Sequence, residues 1–364
     1  MPININLNDV RDKIANIIDD DLGITLKEEN AIKDIKWEDD LLKIDLELVQ
    51  PIHWAIDKIF PKLQLLMNQE FPRAEYQFNI MGQKVDNSNR KFLKGVKNII
   101  VVASGKGGVG KSAISSNIAS ALSLKDARVG ILDGDIYGPS QPTMFDLKDA
   151  QIFAQEMPDG STVAFPNEKY GIKIASMGMI MKQDEAAIVR GPMLAGYFSM
   201  LFEQLEWGDL DFLVFDLPPG TGDIQLTLTQ KIPITGAVIV TTPQEIAVAD
   251  VRRSIAMFNK VNVDIIGVIE NMSYFIPPDM PDKKYYIFGE GGGEKIAAEY
   301  NVNFLGKVPL SIKMRENNDG GKPIVLADEN NPQSIILKEI TEKIVTEIRR
   351  LNWKNRDSSI EISI

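Results

Sequence analysis

The sequence predicts an α/β protein: a doubly wound, mostly parallel sheet preceded by a small α+β domain. Three observations predict it. From residue 98 onward short apolar runs alternate with segments of helical period, the pattern of a parallel sheet covered on both faces. The first of those runs, Asn98 to Ser104, is β-branched and apolar throughout, as a strand buried on both faces must be. It leads into a glycine-rich loop, Gly105-Lys106-Gly107-Gly108-Val109-Gly110-Lys111-Ser112, after which Ile114, Ile118, Ala121 and Leu122 recur at helical spacing.

Residues 1–81 form the small domain in this reading. Val10, Ile14, Ile17, Ile18 and Leu22 share one helical face. Ile32 to Trp37, an Asp39-Asp40 turn, and Leu42, Ile44, Leu46 and Leu48 alternating with charged residues read as a hairpin with one buried face. A helix is expected from about Trp54 to Glu70, with a kink at Pro61, and a third strand at Tyr76, Phe78 and Ile80. Residues 82–97 are polar, with Asp86-Asn87-Ser88-Asn89 at their centre, and read as a linker.

Residues 98–351 are the main domain. Its strands are expected at Asn98 to Ser104, Arg128 to Leu132, Ile172 to Ala175, Phe212 to Phe215, Gly236 to Thr241, Ile265 to Ile269 and Phe304 to Leu305. Near its end Leu337, Ile340, Ile344, Ile348 and Leu351 make a helical stripe; acidic and basic residues mix on the other face, so packing on the core is expected rather than a membrane surface. Residues 352–364 are a tail without a signature.

The chemistry sits where such strands end. The segment 105–112 fits G-x-x-x-x-G-K-[ST] between a strand and a helix, a phosphate-binding loop. Its glycines let backbone N–H groups turn toward phosphate oxygens, Lys111 can reach the β- and γ-phosphates, and the Ser112 hydroxyl can ligate magnesium. After the second strand, Asp133-Gly134-Asp135 places two carboxylates beside that loop, able to hold magnesium's water shell and orient an attacking water. Asp216, closing the fourth strand before Pro218-Pro219-Gly220-Thr221-Gly222, fits a carboxylate that reaches magnesium, usually through water. ATP hydrolysis is the expected activity. Asn259-Lys260-Val261-Asn262 lacks the aspartate of a guanine-reading N-K-x-D, which favours ATP over GTP.

Composition narrows the partners. The chain has 364 residues, 44% of them hydrophobic, and a net charge of −11, which opposes a broad nucleic-acid surface. No run approaches the roughly 20 apolar residues of a membrane span, and the first residues have no apolar signal core, so the chain reads as cytoplasmic. There is no cysteine, which excludes disulfides and thiolate ligands. His53, the single histidine, stands at a helix start and reads as a structural hydrogen-bonder.

Lys106 is unnecessary in an ordinary phosphate loop. It resembles the extra lysine of the deviant P-loop shared by ParA, MinD and Mrp-type ATPases, where that lysine reaches the nucleotide of a partner subunit; the resemblance implies a homodimer. The series DGDIYGPS from Asp133, RGPM at Arg190 to Met193, DLPPGTGDIQLTL from Asp216, TTPQEIAVAD from Thr241, ENMSYF from Glu270 and FGEGGGEK from Phe288 is similar to the Mrp or ApbC type, the iron–sulfur cluster carriers. Generic ParA and MinD proteins share the loop and Asp216 but not this whole series. The resemblance implies an ATP hydrolase that delivers iron–sulfur clusters to client apoproteins with assembly proteins as partners. By the same resemblance Asp135 positions the hydrolytic water, Asp133 supports magnesium, Asn271 faces adenine and Lys106 crosses the dimer interface. The order of elements in residues 1–81 resembles the small domain that these carriers share with metal–sulfur cluster assembly proteins.

The departure from the family lies after ENMSYF, where many members carry C-x-x-C. Here the chain reads Ile276-Pro277-Pro278-Asp279-Met280-Pro281-Asp282. Carboxylates are poor ligands for a cluster that prefers thiolate, so ATP chemistry survives the change while direct cluster ligation does not follow. Two further readings stay open: a nucleotide-switched scaffold in cluster assembly that holds no cluster, and a positioning ATPase like ParA or MinD. Arg190 reads either as an anion anchor or as a solvated surface residue, and Gly289 to Gly293 either as a nucleotide-responsive loop or as a plain connection.

Overall fold

The computed structural model describes residues 5–85, 87, 90–136, 138–158, 160, 162–180, 196–197 and 200–356. Arg190 to Met193 and residues 357–364 lie outside the described residues. Two compact units emerge: residues 1–86 with 345–364, and residues 87–344.

In the smaller unit a helix, α1 (Leu7–Ala15), and two short strands, β1 (Ile18–Asp19) and β2 (Ile24–Thr25), precede a three-stranded sheet of β3 (Ile32–Glu38), β4 (Leu41–Leu48) and β5 (Glu75–Gly82). β3 and β4 pair antiparallel around Asp39-Asp40, both with positive φ, a turn whose twist suits a hairpin and whose short polar side chains tolerate it. α2 (His53–Glu70) crosses over to bring β5 parallel to β4, and it continues through Pro61. Leu42, Ile44, Leu46 and Leu48 are fully buried, and Ala55, Ile59, Leu63 and Met67 of α2 complete the same core.

The helix expected through Leu22 stops at Ala15. Asp19 accepts the backbone amides of Asp21 at 2.9 Å and Leu22 at 3.2 Å, a local alternative to helical hydrogen bonding that turns the chain. That turn has a tertiary partner. The buried Arg349 donates to Asp19 through both terminal nitrogens, at 3.0 and 2.6 Å, to Asp21 at 2.8 Å and to the Val49 carbonyl at 3.1 Å. Lys58 adds a second cation on Asp21 at 2.8 Å. Glu29, buried beside them, accepts the Val49 amide at 2.6 Å.

The larger unit is organised on one eight-stranded sheet in the order β10-β11-β7-β12-β6-β13-β14-β15. In chain order these are β6 (Val96–Ala103), β7 (Val129–Asp133), β10 (Asn167–Lys169), β11 (Ile172–Ser176), β12 (Leu210–Asp216), β13 (Gly236–Thr241), β14 (Ile265–Phe275) and β15 (Phe304–Leu310). All neighbours are parallel except β10 and β11. A separate hairpin pairs β8 (Phe153–Glu156) with β9 (Thr162–Phe165). Neither that hairpin nor β10 was expected: these strands are three or four residues long and largely exposed, so they carry no apolar run.

Helices α3 (Lys111–Ser123), α4 (Gln141–Met144), α5 (Asp223–Lys231), α6 (Glu245–Lys260) and α7 (Gly292–Glu299) lie between these strands, and α8 (Ile312–Asp319), α9 (Ile324–Ala327) and α10 (Pro332–Asn355) follow β15. Along α10, Leu337, Ile340, Ile344 and Ile348 are buried, as core packing requires. Several strands exceed their expected lengths, β12 at both ends and β15 by running to Leu310 rather than Leu305. β6 starts at Val96, inside the polar linker, and β14 runs through ENMSYF to Phe275, with a register shift after Asn271 and a positive φ at Met272.

Burial, and secondarily the charge of Asp19, pushes the Glu29 carboxyl up to about 7 from 4.5. Between those values the unfolded chain ionises while the folded chain keeps its proton, so stability falls as pH rises from about 4.5 to about 7. The loss is on the order of 3 kcal/mol. Glu29→Gln should flatten urea-unfolding free energies across that window; a variant that loses as much stability as the parent chain between pH 5 and 7.5 would assign the dependence to another group.

Candidate functional site

The parallel strands end on one edge, and five neighbours, β7, β12, β6, β13 and β14, carry the polar residues there. Their interiors are largely apolar and buried, so the polar residues gather at the carboxyl ends of the strands. β6 passes into the loop 104–110. Gly108 and Gly110 take φ of +82° and +81°, which favours glycine. Gly110 has a second reason: a Cβ there would lie 2.2 Å from Asn271 Nδ2. That amide holds the loop from behind by donating to the Val109 carbonyl at 2.9 Å.

α3 begins at Lys111, whose side chain is only 6% exposed. Its ammonium is ion-paired and hydrogen-bonded to Asp216 Oδ1, and it lies 3.2 Å from the Ser112 hydroxyl. Ser115, one turn along α3, donates to the same oxygen at 2.9 Å. The other oxygen of Asp216 accepts from Gln141 Nε2 at 2.9 Å. Asp216 is thus buried with every oxygen engaged.

Asp133 is its neighbour in register across β7 and β12. Oδ2 of Asp133 accepts the backbone amides of Ser140 and Gln141 at 2.9 and 3.0 Å and the Ser176 hydroxyl at 3.2 Å; Oδ1 accepts the amide of Asp135 at 3.1 Å. Burial, then the negative charge of Asp216, pushes Asp133 up to about 7, while these amides and Lys111 oppose the shift. Asp135 lies at the partly exposed rim, where it accepts the Gly138 amide at 3.2 Å.

The expected residues Lys111, Ser112, Asp133 and Asp216 therefore converge, with Asp135 beside them. Lys106 is placed apart, 3.4 Å from Gln244 Oε1 at the start of α6. Asn271 stands behind the loop and lines a cavity of about 200 Å³ with Gly110, Met144, Leu310, Met314 and Arg315. Asp279 and Asp282 are exposed in the segment after β14. Ser115 and Gln141 belong to the site but to no expected motif. Neither carries a signal in the sequence; both are fully buried in the structure.

The donor set suits magnesium. It offers a hydroxyl and carboxylates, all hard oxygens, and two further buried oxygens in the same turn, Ser140 Oγ and Gln141 Oε1, have no hydrogen-bond partner. Among the described residues no group of three or more carboxylate or histidine side chains is arranged to hold a metal, so a cation here takes further ligands from phosphate and water.

A family model of the ParA group, described as NUBPL iron-transfer P-loop NTPase, matches residues 95–345. The chain belongs to that family. An iron–sulfur cluster carrier protein of Synechocystis is 49% identical over 260 residues, 71% of this chain and 73% of its own length. The iron–sulfur cluster carrier protein of Escherichia coli K12 is 40% identical over 340 residues, 92% of this chain and 89% of its own, a span that reaches into the small unit. Among solved structures, a nucleotide-binding protein of Archaeoglobus fulgidus in complex with ADP shares 33% identity and a TM-score of 0.57, over 69% of this chain and 94% of its own. The matched family is one of P-loop NTPases, and no helix among the described residues is long and apolar enough to cross a membrane.

Gly110→Ala tests the loop geometry. The strained φ and the contact with Asn271 should weaken ADP binding at least about tenfold by calorimetry while the far-ultraviolet dichroism stays that of the parent. Unchanged affinity would mean the loop adapts without Asn271.

Proposed function

We propose that this chain is a magnesium-dependent ATPase that works as a homodimer in the delivery of iron–sulfur clusters to apoproteins. The observation that carries the reading is the convergence of Lys111, Ser112, Asp133 and Asp216 at one sheet edge, in a family described by iron transfer.

The roles follow from chemistry. Backbone amides of residues 107–112 and the N-terminus of α3 take the phosphates. Lys111, held by Asp216, exchanges that carboxylate for the β- and γ-phosphate oxygens. Ser112 would hold magnesium directly, with Asp133 and Asp216 acting through its waters, and the ion would neutralise charge on the phosphates. Asp135, at the rim, orients the attacking water. The cavity behind the loop has methionine and leucine walls and takes adenine beside Asn271. Lys106, on the surface side of the loop, reaches the nucleotide of a second subunit, and Gln244 holds it until then.

The cluster is cargo. With no cysteine in the chain, its thiolate ligands come from outside: a client, an assembly protein or a small thiol. The small unit, resembling cluster assembly domains, is the natural place for such partners to dock. The absence of cysteine also favours a second reading, a nucleotide-switched scaffold that never holds the cluster. In both, ATP closes the dimer and hydrolysis reopens it, giving two states with different affinity for partners.

Lys111→Ala should abolish ATP binding, whereas Asp135→Asn should keep ATP and lower kcat by about 10²-fold or more; full turnover in either variant overturns the role assigned to that residue. Anaerobic reconstitution with iron, sulfide and a small thiol separates the two readings. Stoichiometric protein-bound iron and sulfide after gel filtration supports carriage. A dimer that hydrolyses ATP but retains neither supports the scaffold.

A further inference from the structure

Gln141 touches all three residues assigned to the magnesium site, the two aspartates at their carboxylates and Ser112 at its backbone carbonyl. Its backbone amide donates to Asp133 at 3.0 Å, and its side-chain Nε2 donates both to Asp216 Oδ2 at 2.9 Å and to the Ser112 carbonyl at 3.0 Å. These partners fix the orientation of the amide, since a flip would set its oxygen against a carboxylate and a carbonyl, neither of which can donate. Both donor hydrogens are therefore used. Oε1 is buried and has no partner, and the side chain is fully enclosed. An acceptor left so, one amide width from the Asp216 hydrogen bond, needs a donor, and the water shell of a cation held by Asp216 would supply one.

We propose that Gln141 is a positioning residue for the magnesium–nucleotide complex: Nε2 fixes Asp216 when Lys111 turns to the phosphates, and Oε1 accepts a hydrogen bond from a water of the magnesium shell. The division of labour follows from which oxygen each partner holds. Lys111 and Ser115 share Oδ1, so loss of Lys111 to phosphate frees part of one oxygen only. Oδ2 stays with Gln141, and the carboxylate keeps its plane. The same residue ties Asp133 to Asp216 across β7 and β12, so the two carboxylates that meet the water shell move together. This inference rests on the ATPase reading.

The test separates a positioning role from a merely structural one by measuring ADP affinity twice in each protein, calorimetrically, in EDTA and in saturating magnesium. In the parent chain magnesium should strengthen ADP binding. Gln141→Met, of similar length and without donors or acceptors, should bind ADP in EDTA within about twofold of the parent, yet lose at least about tenfold of the magnesium enhancement. In ATP turnover it should lower kcat while KM at saturating magnesium shifts less than about threefold. Gln141→Asn, whose amide is one methylene too short to span both partners, should lose part of the enhancement and serves if the methionine variant does not fold. A folded variant that keeps the full enhancement overturns the inference, as does one whose affinities in EDTA and in magnesium fall equally. A parent chain that binds no ADP in either condition overturns the ATPase reading itself, and the inference with it.

Discussion

The buried carboxylate of Asp216 is the constraint on which the larger unit's site depends. Parallel pairing in register puts it beside Asp133, and two ionised carboxylates in a buried strand pair repel. The fold resolves this with one cation and a set of neutral donors. Lys111 and Ser115 come from the first turn and a half of α3, and Gln141 comes from the start of α4. Apolar anchors stand within the same turns: the fully buried Ile114 between Lys111 and Ser115 on α3, and the buried Pro142 next to Gln141 on α4. Burial first, and the residual repulsion from Asp216 second, raise the pKa of Asp133, against which backbone amides and Lys111 act. A site built this way has its charges poised against one another, so a polyanion bearing its own cation can enter by exchange rather than by desolvating a bare carboxylate.

How much of this was legible in the sequence follows from the range of the signals. The strand, loop and helix around residue 105 are read from neighbours in sequence: apolar run, glycines at positive φ, helical spacing. Asp133 and Asp216 are read as the residues that close apolar strands, and parallel pairing then does the rest, since equal strand ends in a parallel sheet share one edge. Gln141 was not legible, because nothing local distinguishes a solvated glutamine in a turn from one that reaches 75 residues along the chain to a carboxylate. The hairpin β8–β9 and the edge strand β10 were missed for the complementary reason: exposed strands this short carry no period to detect.

The small unit shows the same limit from the other side. Val10 to Leu22 has a helical apolar period, yet the helix ends at Ala15 because Asp19 and Asp21 are used elsewhere, by an arginine more than 300 residues later. With Asp19, Asp21 and Glu29 facing Arg349 and Lys58, full ionisation leaves one negative charge in excess. Glu29, buried, 3.7 Å from the guanidinium and with an unpartnered Oε2, is the one whose carboxyl is pushed up, to about 7. The local pattern was correct as a preference and lost to a buried ion cluster that no window of sequence contains.

The segment after Asn271 carries the argument about cargo. β14 holds the nucleotide loop through the Asn271 amide and, one residue earlier, caps α7 through Glu270, which accepts the Gly293 amide at 2.7 Å. Beyond Phe275 the same chain leaves the sheet into Ile276 to Ile287, where Met280, Tyr285 and Ile287 stand at 43, 46 and 57% exposure beside Asp279 and Asp282. An exposed apolar surface flanked by carboxylates is chemically a place to meet another protein, and a poor place to coordinate a sulfide cluster. The strand that would sense the nucleotide therefore continues directly into a surface suited to partners. Neither the loop 105–112 nor its attachment to β14 uses a cysteine, so the geometry at this sheet edge does not depend on thiolates.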